Sequence, residues 1–114
     1  MSGIIFFKTK IIEEITQFYI REIGCVLWMD QGDCVILQHD NFLIGFCQRD
    51  SMDTQGMITF YYDNKESVDE MYEKFIHSAD APPRDNPKYP IYHFFSHDPE
   101  GRIVEFQYFY NIDQ

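Results

Sequence analysis

Positive charge is scarce in this chain: nine Lys and Arg stand against 19 Asp and Glu, a formal net charge of −10 with a pI near 4.6. A surface of that sign repels phosphate backbones and anionic headgroups, so neither nucleic acid nor a membrane is an expected partner. Cysteine is scarce too. Cys25, Cys34 and Cys47 are odd in number and lack the short spacings of a zinc knuckle or a redox motif, which argues against a disulfide framework and fits a reducing cytoplasm. Long apolar runs are missing: the opening MSGIIFFKTK holds five such residues before its lysines, too few for an export signal, and no segment approaches the ~18 needed to span a bilayer. There is no Ser-His-Asp order, no close Cys-His cluster, and no phosphate-cradling glycine loop, since the one GxxxxG-like spacing lacks its lysine.

What the chain has in quantity is aromatic and apolar surface. Hydrophobic residues make up 45% of 114 residues, with 11 Phe and 8 Tyr, far too many for a disordered segment. A chain of this length buries roughly two thirds of its unfolded surface, so one domain with a real core is expected without a metal or disulfide staple.

Residues 3–7 (GIIFF) read as a strand running into a helix over Lys10–Ile23, where Ile11, Ile12, Ile15, Phe18, Tyr19 and Ile23 recur at three- and four-residue steps. Gly24 is placed to cap that helix. Strands are predicted at Cys25–Asp30, Asp33–His39 and Phe42–Gln48, with turns at Gln31-Gly32 and Asp40-Asn41. After a polar linker, Met57–Tyr62 reads as a strand and Asn64–His77 as a helix carrying Val68, Met71, Tyr72, Phe75 and Ile76 on its apolar stripe. Four prolines make 81–90 a loop or a broken edge strand. Ile91–His97 and Arg102–Tyr110 close the chain as a hairpin around Asp98-Pro99-Glu100-Gly101. An offset of 53 residues lays Ile5 on Ile58, Phe7 on Phe60, Tyr19 on Tyr72 and Ile23 on Ile76, and an offset of 60 lays Leu43, Ile44 and Phe46 on Ile103, Val104 and Phe106. Two half-repeats are therefore expected, about 3–50 and 56–112.

Two βαβββ halves, the helix ITQFYIREIGC, the WMDQG turn, the LIGF and ITFYYDN strands and the closing YHFFSHDPEGRIVEFQ together resemble the vicinal oxygen chelate superfamily, the group of glyoxalases, bleomycin-resistance proteins and extradiol dioxygenases. The resemblance covers nearly the whole chain. It implies an α+β, glyoxalase-like fold, two βαβββ units forming a cup-shaped mixed sheet with helices on the convex side. It further implies a ligand cavity which, in catalytic members, holds a divalent metal on one residue from the first and one from the last strand of each half. Carried over, those positions are Ile4, Gly45, Met57 and Glu105. Ile and Gly offer no donor and a thioether is a soft ligand, so only Glu105 suits a hard or borderline divalent cation. The resemblance thus points to the metal-free, ligand-binding branch, with no cofactor. A metal-dependent lyase or isomerase with non-standard ligands and a non-catalytic regulatory module are the competing readings.

Strand alternation puts Ile103, Glu105, Gln107 and Phe109 on one face of the last strand, and the resemblance makes that face line the cavity. Ile4, Phe6, Leu43, Gly45, Cys47, Met57, Thr59 and Tyr61 share the corresponding faces of their strands. Glu105 is then either a desolvated proton acceptor or cation partner, or a solvated edge carboxylate. A two-residue turn at Asp40-Asn41 sets Cys34 opposite Cys47, read as two thiols packed as small apolar groups, with a redox pair as the competing reading. His93 and His97 lie about 13 Å apart along a strand and cannot share an ion. Counting from a four-residue turn places Phe94, rather than His93, beside Glu105. Trp28 falls near the rim, while His39 and His77 carry no signal. The expected ligand is a small cationic or aromatic organic molecule. A homodimer is expected too, because FQYFY (106–110) puts rings on both faces of the last strand.

Overall fold

The computed structural model describes residues 2–111, so the expected end of the second repeat at 112 lies outside the described residues. The chain divides into two compact units, 1–54 and 55–114.

In the first unit, strand β1 (Ile4–Thr9) leads to helix α1 (Ile12–Phe18), and β2 (Val26–Asp30), β3 (Cys34–His39) and β4 (Phe42–Gln48) follow, in sheet order β1-β4-β3-β2. The predicted helix over Lys10–Ile23 is shorter and less regular than its periodicity suggests. Gln48 explains the late start: its amide accepts from the Ile12 N–H at 2.9 Å and donates to the Lys10 carbonyl at 2.8 Å, holding residues 10–11 out of the helix. At the other end, Tyr19–Ile23 forms a wide π-helical turn closed by Gly24 at φ 97°, whose N–H reaches the Tyr19 carbonyl. A residue with a Cβ is strained there, so the glycine stop is fixed by backbone sterics. Ile15, Tyr19, Ile23, Leu37, Ile44 and Phe46 form the core beneath this helix.

The second unit repeats the order with β5 (Met57–Tyr62), α2 (Lys65–Lys74), β6 (Arg84–Asp85), β7 (Ile91–His97) and β8 (Ile103–Phe109), arranged β5-β8-β7-β6. The Asn64 side chain caps α2 by accepting from the Ser67 N–H at 2.8 Å. The proline-rich stretch does contain a broken edge strand, the two-residue β6. Phe60, Val68, Phe75, Phe94, Val104 and Phe106 fill the core, with Phe106 stacked against Phe60 and Phe94 and tilted against Phe75 of the α2 terminus.

Pairing registers obey both sequence offsets. Phe6 lies opposite Gly45 in the first unit, and the positions 53 and 60 residues on, Thr59 and Glu105, lie opposite each other in the second. The two units are thus the same structural motif written twice.

Three expectations need correction. The β7–β8 connection has five residues, because His97 pairs with Ile103 and Arg102 leaves the ladder. That single residue shifts the register, so Phe95, not Phe94, lies opposite Glu105. Phe94 instead faces α2, fully buried, with an edge-on contact to Tyr72. The third correction concerns Cys34 and Cys47, which are opposite each other as expected but joined by a disulfide rather than packed as thiols.

Phe6 lies over the Gly45 backbone so closely that a Cβ added at position 45 would sit 2.4 Å from its ring. Phe6 is 48% exposed and its ring can yield, so replacing Gly45 by Ala is expected to cost about 0.5–1.5 kcal/mol, the range for a side chain pushed off its rotamer. In a Phe6→Ala background the same change should cost much less, since it acts only through that ring; equal losses in urea melts of both backgrounds would refute the contact.

Candidate functional site

On the face of the second sheet turned away from α2, strand alternation assembles Met57, Thr59 and Tyr61 of β5, Ile103, Glu105 and Gln107 of β8, and His93, Phe95 and His97 of β7. At its centre is a buried polar cluster. The Thr59 hydroxyl donates to Glu105 Oε1 at 2.7 Å, and His93 Nδ1 lies 2.6 Å from Oε2. With the Gln107 amide turned so that its nitrogen faces the carboxylate, it donates to both oxygens at 2.9 Å. His93 and Glu105 are diagonal neighbours on adjacent strands, close enough for long side chains to meet. Behind His93, Asn86 places its amide nitrogen 3.4 Å from Nε2, while its own oxygen accepts from the Lys88 and Tyr89 N–H groups. Nε2 therefore faces a donor, and the network assigns the imidazole proton to Nδ1, where it is donated to Glu105.

Glu105 is 4% exposed and its oxygens accept four hydrogen bonds. It lies on the expected face, but its carboxylate is committed within its own sheet. The rim around it is open and apolar: Met57 is 53% exposed, Tyr61 58% and Ile103 47%. At one end of this face Met57, Phe95, Ile103 and His97 join Ser78, Asp80, Ser96 and Gly101 around a depression of about 690 Å³. Asp80 binds Arg84 at 2.8 Å and accepts from the Phe95 N–H. Burial works against its charge, but those hydrogen bonds and the guanidinium's attraction outweigh it and hold its carboxyl below the ordinary range.

The remaining expected site residues belong to the first unit. Leu43 is buried, Gly45 is covered by Phe6, and Cys47 is in the disulfide. Trp28, 46% exposed, occupies a bulge in the edge strand β2, where the register with β3 shifts between Leu27 and Met29. Sequence reasoning missed His93 as a partner of Glu105, along with Asn86, Phe95 and Asp80. Arg102, a charged residue where the alternation calls for a small or apolar one, was the available sign that the loop is one residue longer.

No protein-family profile matches the chain, and no curated protein matches its sequence. Solved structures do match. A glyoxalase/bleomycin resistance protein/dioxygenase family enzyme from Burkholderia phytofirmans superposes with a TM-score of 0.80 at 18% identity, covering 94% of this chain and 97% of that one. A glyoxalase/bleomycin resistance protein/dioxygenase from Alicyclobacillus acidocaldarius gives 0.79 at 16% identity, with 97% and 92% covered. Lactoylglutathione lyase from Agrobacterium tumefaciens gives 0.73 at 19%, with 95% and 91% covered. The chain has the glyoxalase/bleomycin resistance/dioxygenase fold.

Within that fold the residues present do not fit a divalent metal. Of Ile4, Gly45, Met57 and Glu105 only the last carries a hard donor, and its lone pairs already accept hydrogen bonds from Thr59, His93 and Gln107. The cross-strand partners of Gly45 are Phe6 and Ile36 and those of Glu105 are Thr59 and Phe95, none of which adds a strong donor. Among the described residues no three His, Cys, Asp or Glu side chains are grouped to hold an ion.

Proposed function

We propose that this domain binds a small organic molecule without a metal, on the open face of the second unit, and that the ligand carries an apolar or aromatic body with a cationic group. The observation that carries the reading is the exposed rim of Met57, Tyr61 and Ile103 beside a depression whose Asp80 is already paired with Arg84, so that the preference for a cation rests on the net charge of −10 and the aromatic rim. His93 and Glu105 hold the floor of that face in one geometry rather than reaching out to the ligand. A partner other than nucleic acid or a membrane accords with the charge, while the Cys34–Cys47 disulfide removes the cysteine argument for a reducing cytoplasm; no helix among the described residues is long and apolar enough to cross a membrane.

Isothermal titration with Zn²⁺, Ni²⁺ and Mn²⁺ should show no binding, and a thermal-shift screen of basic antibiotics and aromatic metabolites should find compounds that raise Tm by mass action. Near-stoichiometric metal uptake would favour the lyase or isomerase reading instead, and no response to any class would favour a regulatory module. For any cationic compound found, Ile103→Lys should weaken binding at least roughly tenfold, about 1.4 kcal/mol, by setting a like charge on the rim. Unchanged affinity would place the ligand elsewhere.

A homodimer belongs to the same reading, though on different grounds from the aromatic tail. Phe106 is fully buried under α2, Phe109 meets Tyr61 edge-on, and Tyr108 meets Tyr110, so the tail rings pack within their own unit. The stronger motive is β2, an edge strand whose Val26, Leu27, Trp28 and Met29 are 44–59% exposed. Sedimentation equilibrium should return twice 13.7 kDa, and Leu27→Glu should return the single mass.

A further inference from the structure

The open face of the first sheet holds a feature that the ligand-binding reading does not use. Cys34, Cys47 and Lys8 lie side by side across β3, β4 and β1 at one end of the strands, their side chains on the same face, and the two cysteines are bonded and only half-buried. Arg49, just beyond β4, turns back toward them. Its Nη1 donates to Asp33 Oδ2 at 3.1 Å and to the Gln48 carbonyl at 2.7 Å, and its Nη2 lies 4.0 Å from Cys34 Sγ. Lys8 in turn faces Asp53 at 3.9 Å. Two of only nine basic residues thus bracket the one disulfide among the described residues. A guanidinium beside a sulfur favours the thiolate, and a thiolate so stabilised leaves readily in exchange. The third cysteine is of another kind: Cys25 is 2% exposed, and burial pushes its thiol up to about 12.

We propose that Cys34 and Cys47 form a reversible dithiol/disulfide couple that exchanges with anionic low-molecular-weight thiols, with Cys34 as the leaving sulfur. The incoming thiolate attacks Cys47 Sγ, a new S–S bond forms there, and the Cys34–Cys47 bond breaks with its electron pair on Cys34 beside Arg49. A second thiolate attacks the external sulfur of the mixed disulfide and releases Cys47. The protein disulfide gains two electrons and two protons, and two thiols become one small-molecule disulfide. In the reverse direction the Cys34 thiolate attacks Cys47 Sγ of the mixed disulfide and expels the external thiolate. The couple is independent of the ligand reading, since it uses neither the second unit nor Glu105.

The test follows opening of the oxidised, folded chain by acid quenching, alkylation and mass spectrometry. Two thiols of similar size are compared at equal thiolate concentration, 2-mercaptoethanesulfonate and cysteamine. The anionic thiol should open the bridge several-fold faster despite the negative charge of the whole chain, and peptide mapping should find the trapped adduct on Cys47. Arg49→Gln should slow opening roughly threefold to tenfold, whereas Asp33→Asn, which frees the guanidinium from its carboxylate, should speed it. Opposite responses to these two changes would show that local charge, and not unfolding of the strands, controls opening, while the adduct on Cys47 separates a defined leaving sulfur from indiscriminate attack. Should Arg49→Gln fail to fold, Cys47→Ser supplies a second reading: Cys34 should then alkylate with a pH midpoint below the ~8.5 of an ordinary thiol. Opening only in denaturant, adducts confined to Cys34, equal rates for the two thiols, or an ordinary Cys34 midpoint would each overturn the proposal.

Discussion

Replacing Asp98 by Ala is expected to destabilise the second unit by about 3–5 kcal/mol, the cost of stripping one partner from a buried ion pair. Asp98 and Arg102 are 1% and 2% exposed, at the two ends of the five-residue loop between β7 and β8. Asp98 Oδ1 accepts from the Glu100 and Arg102 N–H groups at 2.9 and 3.1 Å, and Oδ2 accepts from Arg102 Nη1 at 3.2 Å. Glu100 takes a further bond from the same nitrogen at 2.8 Å. The alanine variant takes the Oδ1 acceptor from two backbone donors and the Oδ2 partner from the buried guanidinium. The expected readout is a lower urea midpoint at unchanged slope. Asp98→Asn should lose less, since its amide oxygen can still accept from the backbone donors. A loss under ~1 kcal/mol for Asp98→Ala would mean that water reaches the guanidinium and that the loop is held by its backbone alone.

This loop also shows why the fold was legible in the sequence while the candidate site was only half so. Hydrophobic period and turn residues locate strands well: Phe42–Gln48, Met57–Tyr62 and Ile91–His97 were predicted to the residue. They do so because apolar burial and glycine or asparagine sterics are local properties of the chain. Which side chains meet across two strands is a different question, since it turns on the length of the loop between them. Read as four residues, DPEG sets Phe94 next to Glu105; with Arg102 drawn into the loop by Asp98 and Glu100, Phe95 takes that position and His93 comes within 2.6 Å of the carboxylate. The attraction that decides the register is a buried charge pair, which no periodicity expresses. The first unit is the opposite case. Its hairpin is closed by two residues with Asp40 in the left-handed region at φ 53°, so Cys34 was correctly placed against Cys47, although whether two adjacent sulfurs are bonded is not written in strand spacing.

Glu105→Gln should cost about 1–3 kcal/mol, although it changes one atom, because the Gln107 amide meets both carboxylate oxygens and a glutamine offers it one acceptor and one donor. A carboxylate accepts at both oxygens, and here those oxygens meet the Thr59 hydroxyl, the His93 Nδ1 proton and the Gln107 amide. A glutamine must set its own NH₂ against one of them, and each buried donor deprived of a partner costs about 1–3 kcal/mol. Thr59 can rotate its hydroxyl to accept from an NH₂ set at Oε1, which leaves the glutamine oxygen for His93, but Gln107 spans both positions and must oppose one of them whichever way its amide is turned. His93 could move its proton to Nε2, but that nitrogen already faces the amide nitrogen of Asn86, whose oxygen is held by the Lys88 and Tyr89 N–H groups. The conflict therefore stays at Gln107 when the NH₂ sits at Oε1, and reaches His93 and Asn86 only in the opposite orientation. The losses are still not additive: with His93→Leu already in place, Glu105→Gln should cost less than it does alone, since the carboxylate–imidazole hydrogen bond that a neutral amide weakens is already gone. A double-mutant cycle by urea denaturation measures that coupling. A Glu105→Gln loss within ~0.5 kcal/mol of zero would show the carboxylate to be solvated and free, and would return it to the role of a cation's partner on the ligand face.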